Sequence, residues 1–289
     1  MPTIAEKRDA LLETLRSYGS CVVAFSGGVD SAVVAKAAFL ALGAHAIAIT
    51  AVSSSLAEGE LEQASELAQL VGIRHEVLQT DEFANPNYTA NPSNRCYFCK
   101  TELYSQLEPI AAKYGDSVIV NGANVDDIGD WRPGMIAARE HAVRSPLIEC
   151  GFTKQDVRDL AAEWQLPVWD KPAAPCLSSR VAYGEEVTPE RLRMIDRAEQ
   201  FLRGLGLKTV RVRYHRGDLA RLEVPASAIG EIASAETREK IATEFRTLGF
   251  KYITLDLEGF RSGSQNEAIT EQSRGAGTTL VQIALDPRD

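Results

Sequence analysis

The chain has 289 residues, of which 45% are hydrophobic and 25% are charged, as in ordinary globular proteins. This composition excludes a disordered, collagen-like or coiled-coil chain, and the length predicts about two domains with a sizeable core. The net charge of −9 argues against a large nucleic-acid partner, which would favour a basic surface. No apolar run is long enough for a membrane span, and residues 1–10 carry four charges where a signal peptide would be apolar, so we expect a cytoplasmic protein without membrane contact.

Helical and strand-like patterns alternate over the first part of the chain. Apolar residues at helical spacing predict helices, and short apolar runs bounded by turn residues predict buried strands. In chain order they are helix 3–18, strand 21–25, helix 32–42, strand 45–50, helix 56–71, strand 73–78, helix 94–114, strand 117–120 and helix 153–165. This alternation predicts an α/β fold over residues 1–167, with a parallel sheet and helices on both of its faces.

The pattern changes after Pro167, where a Pro- and Ser-rich loop leads into a second region. The predicted elements there are helix 188–205, a hairpin of strands 208–215 and 219–224, helices 226–233 and 236–248, and strand 252–257. We expect a small α+β domain over residues 168–264, with a role in substrate binding or oligomerisation. The polar tail, residues 265–289, is expected to be disordered in part.

The strongest motif is Ser26-Gly27-Gly28-Val29-Asp30-Ser31, between a predicted strand and a predicted helix. Its two glycines allow a tight turn, and successive amides at a helix N-terminus form a site for anions. The hydroxyls of Ser26 and Ser31 can donate to phosphate oxygens, and Asp30 can hold a Mg²⁺ ion on the same phosphates. The alternative is an ordinary glycine turn that begins a helix.

Three of the five cysteines lie in surroundings that suggest a shared function. Cys96 and Cys99 form a Cys-x-x-Cys pair at the start of a predicted helix, and Cys176 lies in a loop between Lys171 and Arg180. The helix N-terminus and nearby cations are expected to lower the pKa of these thiols. Three thiolates could hold an iron–sulfur cubane and leave one iron open to an additional sulfide. The alternative is a reduced pair without a role, because a zinc site would need further ligands.

The predicted hairpin separates charged from apolar side chains. Arg211, Arg213 and His215 lie on one face of its first strand, and Arg221 and Glu223 lie on the matching face of the second. We expect this face to form a cationic platform for a phosphate or carboxylate substrate. A solvated sheet face with salt bridges is the alternative.

A polar loop, residues 121–127, follows the last strand predicted in the first domain. Loops at the carboxyl ends of parallel strands are where such folds bind ligands. Asn124, Asp126, Asp127 and Arg132 are therefore candidates for contact with a nucleotide or Mg²⁺, although adjacent acids in a loop are more often only solvated.

The first motif resembles the PP-loop of the ATP pyrophosphatases, and the full set of motifs resembles one family among them. This is the LarE family of ATP-dependent sulfur transferases, which take part in nickel-pincer cofactor biosynthesis. The resemblance extends from about residue 5 to about residue 268 and rests on Ser26–Ser31, Asn121–Asp127, Arg132–Gly134, Lys171–Ala173, Cys176–Gly184, Arg211–His215, Arg221–Val224 and Gly259–Ser264.

The resemblance implies an activity and a sulfur source. Such enzymes adenylate a carboxylate of pyridinium-3,5-biscarboxylic acid mononucleotide, release pyrophosphate, and let a sulfur nucleophile displace AMP to leave a thiocarboxylate. Some members sacrifice a cysteine at the position of Cys176, whereas members with three cysteines carry a 4Fe-4S cluster. Cys96 and Cys99 place this chain with the second type. A homo-oligomer, such as a hexamer, is also implied, while the source of the sulfide is not.

The resemblance also assigns the site residues. ATP and Mg²⁺ are expected at Ser26, Gly27, Gly28, Asp30, Ser31, Ala51, Gly122, Asn124 and Asp127. The anionic substrate is expected at Arg132, Ser179, Arg180, Arg211, Arg213 and Glu223. The cluster is expected on Cys96, Cys99 and Cys176, and the catalytic candidates are Cys176 and Asp30.

Three other functions stay open at this stage. A tRNA thiolase also combines a PP-loop with cysteines, but the acidic charge and the lack of an evident RNA-binding domain argue against it. An ammonia-using synthetase would not need Cys176. A non-enzymatic nucleotide or cluster sensor would release no pyrophosphate.

Overall fold

The computed structural model describes residues 2–128, 132–172 and 174–261. Its first sheet consists of β1 (Cys21–Ala24), β2 (Ala46–Val52), β3 (Arg74–Gln79) and β4 (Val118–Val120). The strands are all parallel and lie in the order β3-β2-β1-β4. Cys21 pairs with both Ala46 and Val118, so β1, β2 and β4 start level and the loops that follow them meet at one edge of the sheet.

Helices cover both faces of this sheet. They are α1 (Ile4–Tyr18), α2 (Val29–Leu42), α3 (Glu60–Val71), α4 (Pro86–Thr89), α5 (Arg95–Lys113), α6 (Gly134–Glu140), α7 (Pro146–Glu149) and α8 (Lys154–Glu163). Val23 belongs to a buried cluster with α1, α2 and α8, whereas its neighbour Val22 belongs to another cluster with α5 and α6. Strands buried on both faces are continuous apolar runs, which explains why the sequence predicted them. The predicted α/β fold is confirmed.

A second region with a smaller, mixed sheet follows. The region contains α9 (Pro189–Gly204), β5 (Arg211–His215), β6 (Leu219–Glu223), α10 (Ile229–Ile232), α11 (Ala235–Thr247) and β7 (Tyr252–Leu255). β5 and β6 form the predicted antiparallel hairpin, and β7 adds to β6 in parallel. Tyr88, from the first half of the chain, is buried in the core of this region. The domain limits at residues 167 and 264 stay predictions, and the tail 265–289 lies outside the described residues.

Two helices beside the first sheet begin three or four residues away from their predicted starts, and one of these shifts matters for the site. α2 begins at Val29, ahead of the predicted 32, so Asp30 and Ser31 lie in its first turn. α3 begins at Glu60, after the predicted 56, because Gly59 precedes it with a left-handed φ of 82°. Within the described residues, no helix combines the length and the apolar character that a membrane crossing requires.

Candidate active site

The loop after β1 turns sharply into α2, and the backbone amides at the start of α2 stay available to a ligand. Gly27 has a φ of +71°, which favours glycine, and a Cβ atom on it would stand 3.1 Å from the Cβ atom of Ala64. Gly28 caps α2, so the first amides of the helix lack intrahelical acceptors. The Ser31 hydroxyl donates to the Gly28 carbonyl (3.1 Å) and accepts from the Ser26 amide (3.2 Å). Such a turn at a helix N-terminus suits phosphate oxygens.

Asp30 meets two residues that come from distant parts of the chain. Lys154, the first residue of α8, places Nζ 2.5 Å from Asp30 Oδ2, and Asn124 Nδ2 donates to Asp30 Oδ1 at 3.1 Å. The Asp30 side chain keeps 25% exposure. Protein sites for Mg²⁺ use one or two carboxylates together with substrate phosphates, so the partly exposed carboxylate of Asp30, within the Ser26–Ser31 motif, fits that ion.

Lys154 is a candidate site residue that the sequence reasoning missed. One feature of the sequence could have indicated it, namely its position at the start of a predicted helix. A lysine in the first turn of a helix opposes the helix dipole, so it needs a compensating anion nearby. Here Asp30 provides that anion, and the Asp126 carboxylate accepts the Lys154 backbone amide at 2.7 Å.

The polar loop after β4 packs directly on the PP-loop. Asn124 is buried, and its backbone amide donates to Asp127 Oδ2 at 3.0 Å. Asp127 also pairs with the half-exposed Arg132 at 2.8 Å. Ala51 lies near the end of β2, at the same edge of the sheet. The structure thus brings together the residues expected to bind ATP, while their individual contacts with it stay predictions.

The three candidate cysteines converge between α5 and the loop before α9. Leu177, next to Cys176, is buried in the same cluster on which Phe98 and Cys99 pack. All three cysteines are free thiols, and Cys96 and Cys176 are exposed. The pKa of Cys99 is raised to about 12, first by burial and then by the charge of Cys176. The expectation of lowered thiol pKa values is therefore wrong for Cys99, because burial outweighs the nearby cation.

The donor chemistry of this neighbourhood is of the type that an iron–sulfur cluster takes. In the described part of the chain, no three His, Cys, Asp or Glu side chains form a site ready for one metal ion. Three free cysteine thiols, however, are the ligand type that iron–sulfur clusters take. Cys96, Cys99 and Cys176 therefore stay the predicted ligands.

Arg180 and Glu199 form a buried ion pair, and Arg180 contacts the loop of residues 174–180, here called the Cys176 loop. Arg180 Nε donates to Glu199 Oε1 at 3.0 Å, and Arg180 Nη1 donates to the Cys176 carbonyl at 2.9 Å. The sequence reasoning missed Glu199. Its signal is position, because it falls on the buried stripe of α9 between Ile195 and Leu202.

Arg213 forms a second buried pair. Its Nη2 donates to Glu223 Oε2 across the hairpin at 2.8 Å, and its Nη1 donates to the Ser179 carbonyl at 2.9 Å. Arg211 is half-buried, and burial followed by the charge of Arg180 lowers its pKa to about 10. The expected platform is thus not an open surface, since the Cys176 loop covers Arg213. The substrate contacts of these residues stay predictions.

Comparison with known proteins decides the family. The family model described as NAD synthase matches residues 4–94, which include the PP-loop. An uncharacterized protein of Synechocystis is 49% identical over 91% of this chain and 99% of its own length. The pyridinium-3,5-bisthiocarboxylic acid mononucleotide synthase of Lactiplantibacillus plantarum is 38% identical over 94% of this chain and 98% of its own length. The chain belongs to the LarE family.

Membership in this family confirms the family that the sequence predicted. It also confirms the prediction that the chain is an enzyme of the ATP-pyrophosphatase type with sulfurtransferase activity. The chain also has more distant similarity to tRNA-modifying enzymes. The tRNA-specific 2-thiouridylase of Xanthobacter autotrophicus is 32% identical, but over only 52% of this chain and 48% of its own length. The similarity to LarE, in contrast, extends over almost the whole of both chains.

Proposed function

We propose that this LarE chain converts a carboxylate of pyridinium-3,5-biscarboxylic acid mononucleotide into a thiocarboxylate, at the expense of ATP. The observation that carries the proposal is the 38% identity, over nearly the full length of both chains, to a synthase whose name states the bisthiocarboxylic product. The PP-loop and the three converging cysteines support it, since one suits ATP and the others suit sulfur chemistry.

The first chemical step takes place at the start of α2. The ATP phosphates bind the amides there and the hydroxyls of Ser26 and Ser31, and Asp30 would hold a Mg²⁺ ion, which would neutralise phosphate charge. Lys154, 2.5 Å from Asp30, adds positive charge where charge develops on the departing pyrophosphate. A carboxylate oxygen of the substrate attacks the α-phosphorus, the bond to pyrophosphate breaks, and an acyl adenylate remains.

The second step forms the carbon–sulfur bond. A sulfide attacks the activated carbonyl carbon, the new C–S bond forms, and the C–O bond to AMP breaks. When bound by Cys96, Cys99 and Cys176, a 4Fe-4S cluster would supply that sulfide at the iron that no protein ligand occupies. Arg180 fixes the loop for this step, because it donates to the carbonyl of Cys176 itself.

The anionic groups of the substrate require cations that solvent can reach. Arg132 is exposed, Arg211 and Ser179 are half-buried, and Ser179 contacts both Arg180 and Arg213. Arginine donors match the geometry of phosphate and carboxylate oxygens. We propose that Arg132, Ser179 and Arg211 contact substrate, and that the buried Arg180 and Arg213 act through Ser179, which both of them contact.

The test combines metal analysis with turnover. After anaerobic reconstitution, wild type should contain about four irons and four acid-labile sulfides per chain. Cys176→Ala should lose them, whereas the matched control Cys150→Ala should keep them, because Cys150 lies elsewhere, beside Thr14. With the mononucleotide, ATP and sulfide, wild type should release pyrophosphate and give the thiocarboxylate by mass spectrometry.

Other outcomes identify the rival functions. Dehydroalanine at Cys176 after a single turnover, in protein without iron, would replace the cluster by a sacrificed cysteine. Pyrophosphate release that depends on added tRNA would make the chain a thiolase. No pyrophosphate release with any acceptor would leave only a sensor, and full activity of Cys176→Ala would favour an ammonia-using synthetase.

A further inference from the structure

Arg95 joins the two segments that carry the candidate cysteines. It is the first residue of α5, directly before Cys96, and its side chain is only 4% exposed. Arg95 Nη1 donates to the Ser178 carbonyl at 2.9 Å and to the side-chain oxygen of Asn91. Ser178 stands two positions after Cys176, so one guanidinium connects the start of α5 to the Cys176 segment.

Two further buried side chains hold the same segment. The hydroxyls of Tyr88 and Ser178 form a hydrogen bond of 2.7 Å. Asn91 Nδ2 donates to the carbonyls of Val181 (3.2 Å) and Ala182 (2.8 Å). Tyr88 and Asn91 are almost fully buried. We call Tyr88, Asn91 and Arg95 the Arg95 clamp.

In the described part of the chain, Arg95 forms no ion pair with a carboxylate. The other buried arginines of this region have one, since Arg180 pairs with Glu199 and Arg213 pairs with Glu223. An uncompensated buried cation is costly, so such a residue points to an anion that completes its surroundings.

The cysteines are the groups that can provide this anion when they bind a metal. Cys96 follows Arg95 directly, and Ser178, two positions after Cys176, accepts the hydrogen bond of the Arg95 guanidinium. A cysteine that binds a metal does so as a thiolate. Bound cysteines would therefore place negative charge close to Arg95.

We propose that Arg95 is a positioning residue of the three-cysteine site. Its guanidinium fixes the Cys176 segment beside the Cys-x-x-Cys turn of α5 and balances the negative charge that the bound thiolates bring. The charge balance rests on the proposed function. The positioning does not, because it rests on the hydrogen bonds of Arg95 with Ser178 and Asn91 alone.

The first experiment measures positioning in metal-free protein. In a Cys99→Ser background, Cys96 and Cys176 are joined with dibromobimane, and the cross-linked peptide is quantified by mass spectrometry. Arg95→Gln should lower its yield about tenfold, the effect expected for a lost charged hydrogen bond. Arg95→Lys should restore part of it. Arg16→Gln is the matched control, because this arginine is 51% exposed and pairs with Glu13 on its own helix.

The second experiment measures retention of iron under a chelator after anaerobic reconstitution, with all cysteines present. Arg95→Gln should lose iron about tenfold faster than wild type and Arg16→Gln at the wild-type rate. ATP binding reports on folding of the variants, since the PP-loop is a separate site. If Arg95→Gln does not fold, Tyr88→Phe asks the same question by removing only the hydroxyl bound to Ser178, and it should lower both readouts by a smaller factor.

The outcomes separate this inference from the proposed function. A wild type that cross-links but takes up no iron would remove the cluster and leave the clamp in place. A wild type that binds iron, with Arg95→Gln unchanged in both cross-link yield and iron loss, would overturn the clamp and leave the function. Failure of the parent protein to cross-link would also overturn it.

Discussion

A Cβ atom on Gly122 would stand 2.8 Å from the amide nitrogen of Ser31 and 2.9 Å from the carbonyl carbon of Asp30. The loop after β4 therefore rests on the backbone of the PP-loop with no room for a side chain. Because both contacts are with backbone atoms, the neighbour cannot move away as a flexible side chain would. Glycine is required here by the close approach of two loops.

Gly122→Ala should push these two loops apart. We expect the free energy of unfolding to fall by about 1–3 kcal/mol, as for other overpacked sites, and the affinity for ATP to fall about tenfold or more. Denaturant unfolding and calorimetric titration with ATP measure both. The control is Gly204→Ala in α9, where a Cβ atom meets nothing within 4 Å, and helix propensity predicts unchanged or higher stability. Wild-type ATP affinity of Gly122→Ala would refute the role of this contact.

Lys154→Met should affect ATP chemistry far more than stability. Both partners of the Asp30–Lys154 pair are partly exposed, so its loss should change the free energy of unfolding by less than about 1 kcal/mol. Loss of a cation beside the departing pyrophosphate should slow pyrophosphate release about a hundredfold. Lys154→Arg should recover part of the rate. Lys240→Met removes an exposed pair with Glu236 and should change neither quantity, and a matching effect there would point to a general effect of charge.

The sequence predicted the parts of the site that lie within one segment. Ser26–Ser31 is a continuous motif, and strands such as Cys21–Ala24 are buried on both faces, which makes them continuous apolar runs. The Asp30–Lys154 pair joins residues 124 positions apart, and no local pattern encodes that distance. Such contacts follow from which loops the parallel sheet places at one edge.

The hairpin illustrates the same limit. Strand alternation correctly put Arg213 and Glu223 on a common face, and the two side chains meet at 2.8 Å. It could not tell that another segment covers this face, because Ser179 reaches Arg213 from 34 positions away. Charged side chains in a strand usually face solvent, but here they form a buried network of ion pairs.

Asp156→Asn should lower stability in a pH-dependent way. Asp156 accepts from the Thr153 amide at 2.8 Å at the start of α8 and from Lys7 at 2.6 Å. Burial alone would raise the pKa of Asp156, but these hydrogen bonds lower it below 3.8 overall. Since the folded pKa lies below the unfolded one, the stabilisation is present above pH 3.8 and is lost as the pH falls through the folded pKa.

Urea unfolding measures this dependence. At neutral pH the Asn variant should lose about 1 kcal/mol, as for other lost N-cap interactions, and the difference should shrink in acid. Asp159→Asn, three positions further along α8, is the control for the removal of a carboxylate from this helix. A loss for Asp156→Asn that is equal at both pH values would contradict the assignment to the carboxylate.

Glu199→Ala should be the most destabilising of these changes. Glu199 is fully buried and accepts from Arg180 (3.0 Å), Arg203 (2.9 Å) and the Val212 amide (3.1 Å). Its removal leaves the guanidinium of Arg180 buried without an anion, which should cost about 3–5 kcal/mol of unfolding free energy in denaturant titrations. Glu190→Ala, on the same helix but 69% exposed, should cost less than about 1 kcal/mol. Because Arg180 also donates to the Cys176 carbonyl, Glu199→Ala should in addition weaken iron retention. If Glu199→Ala lowers the unfolding free energy no more than Glu190→Ala does, solvent reaches the charge of Arg180 and the burial argument is wrong.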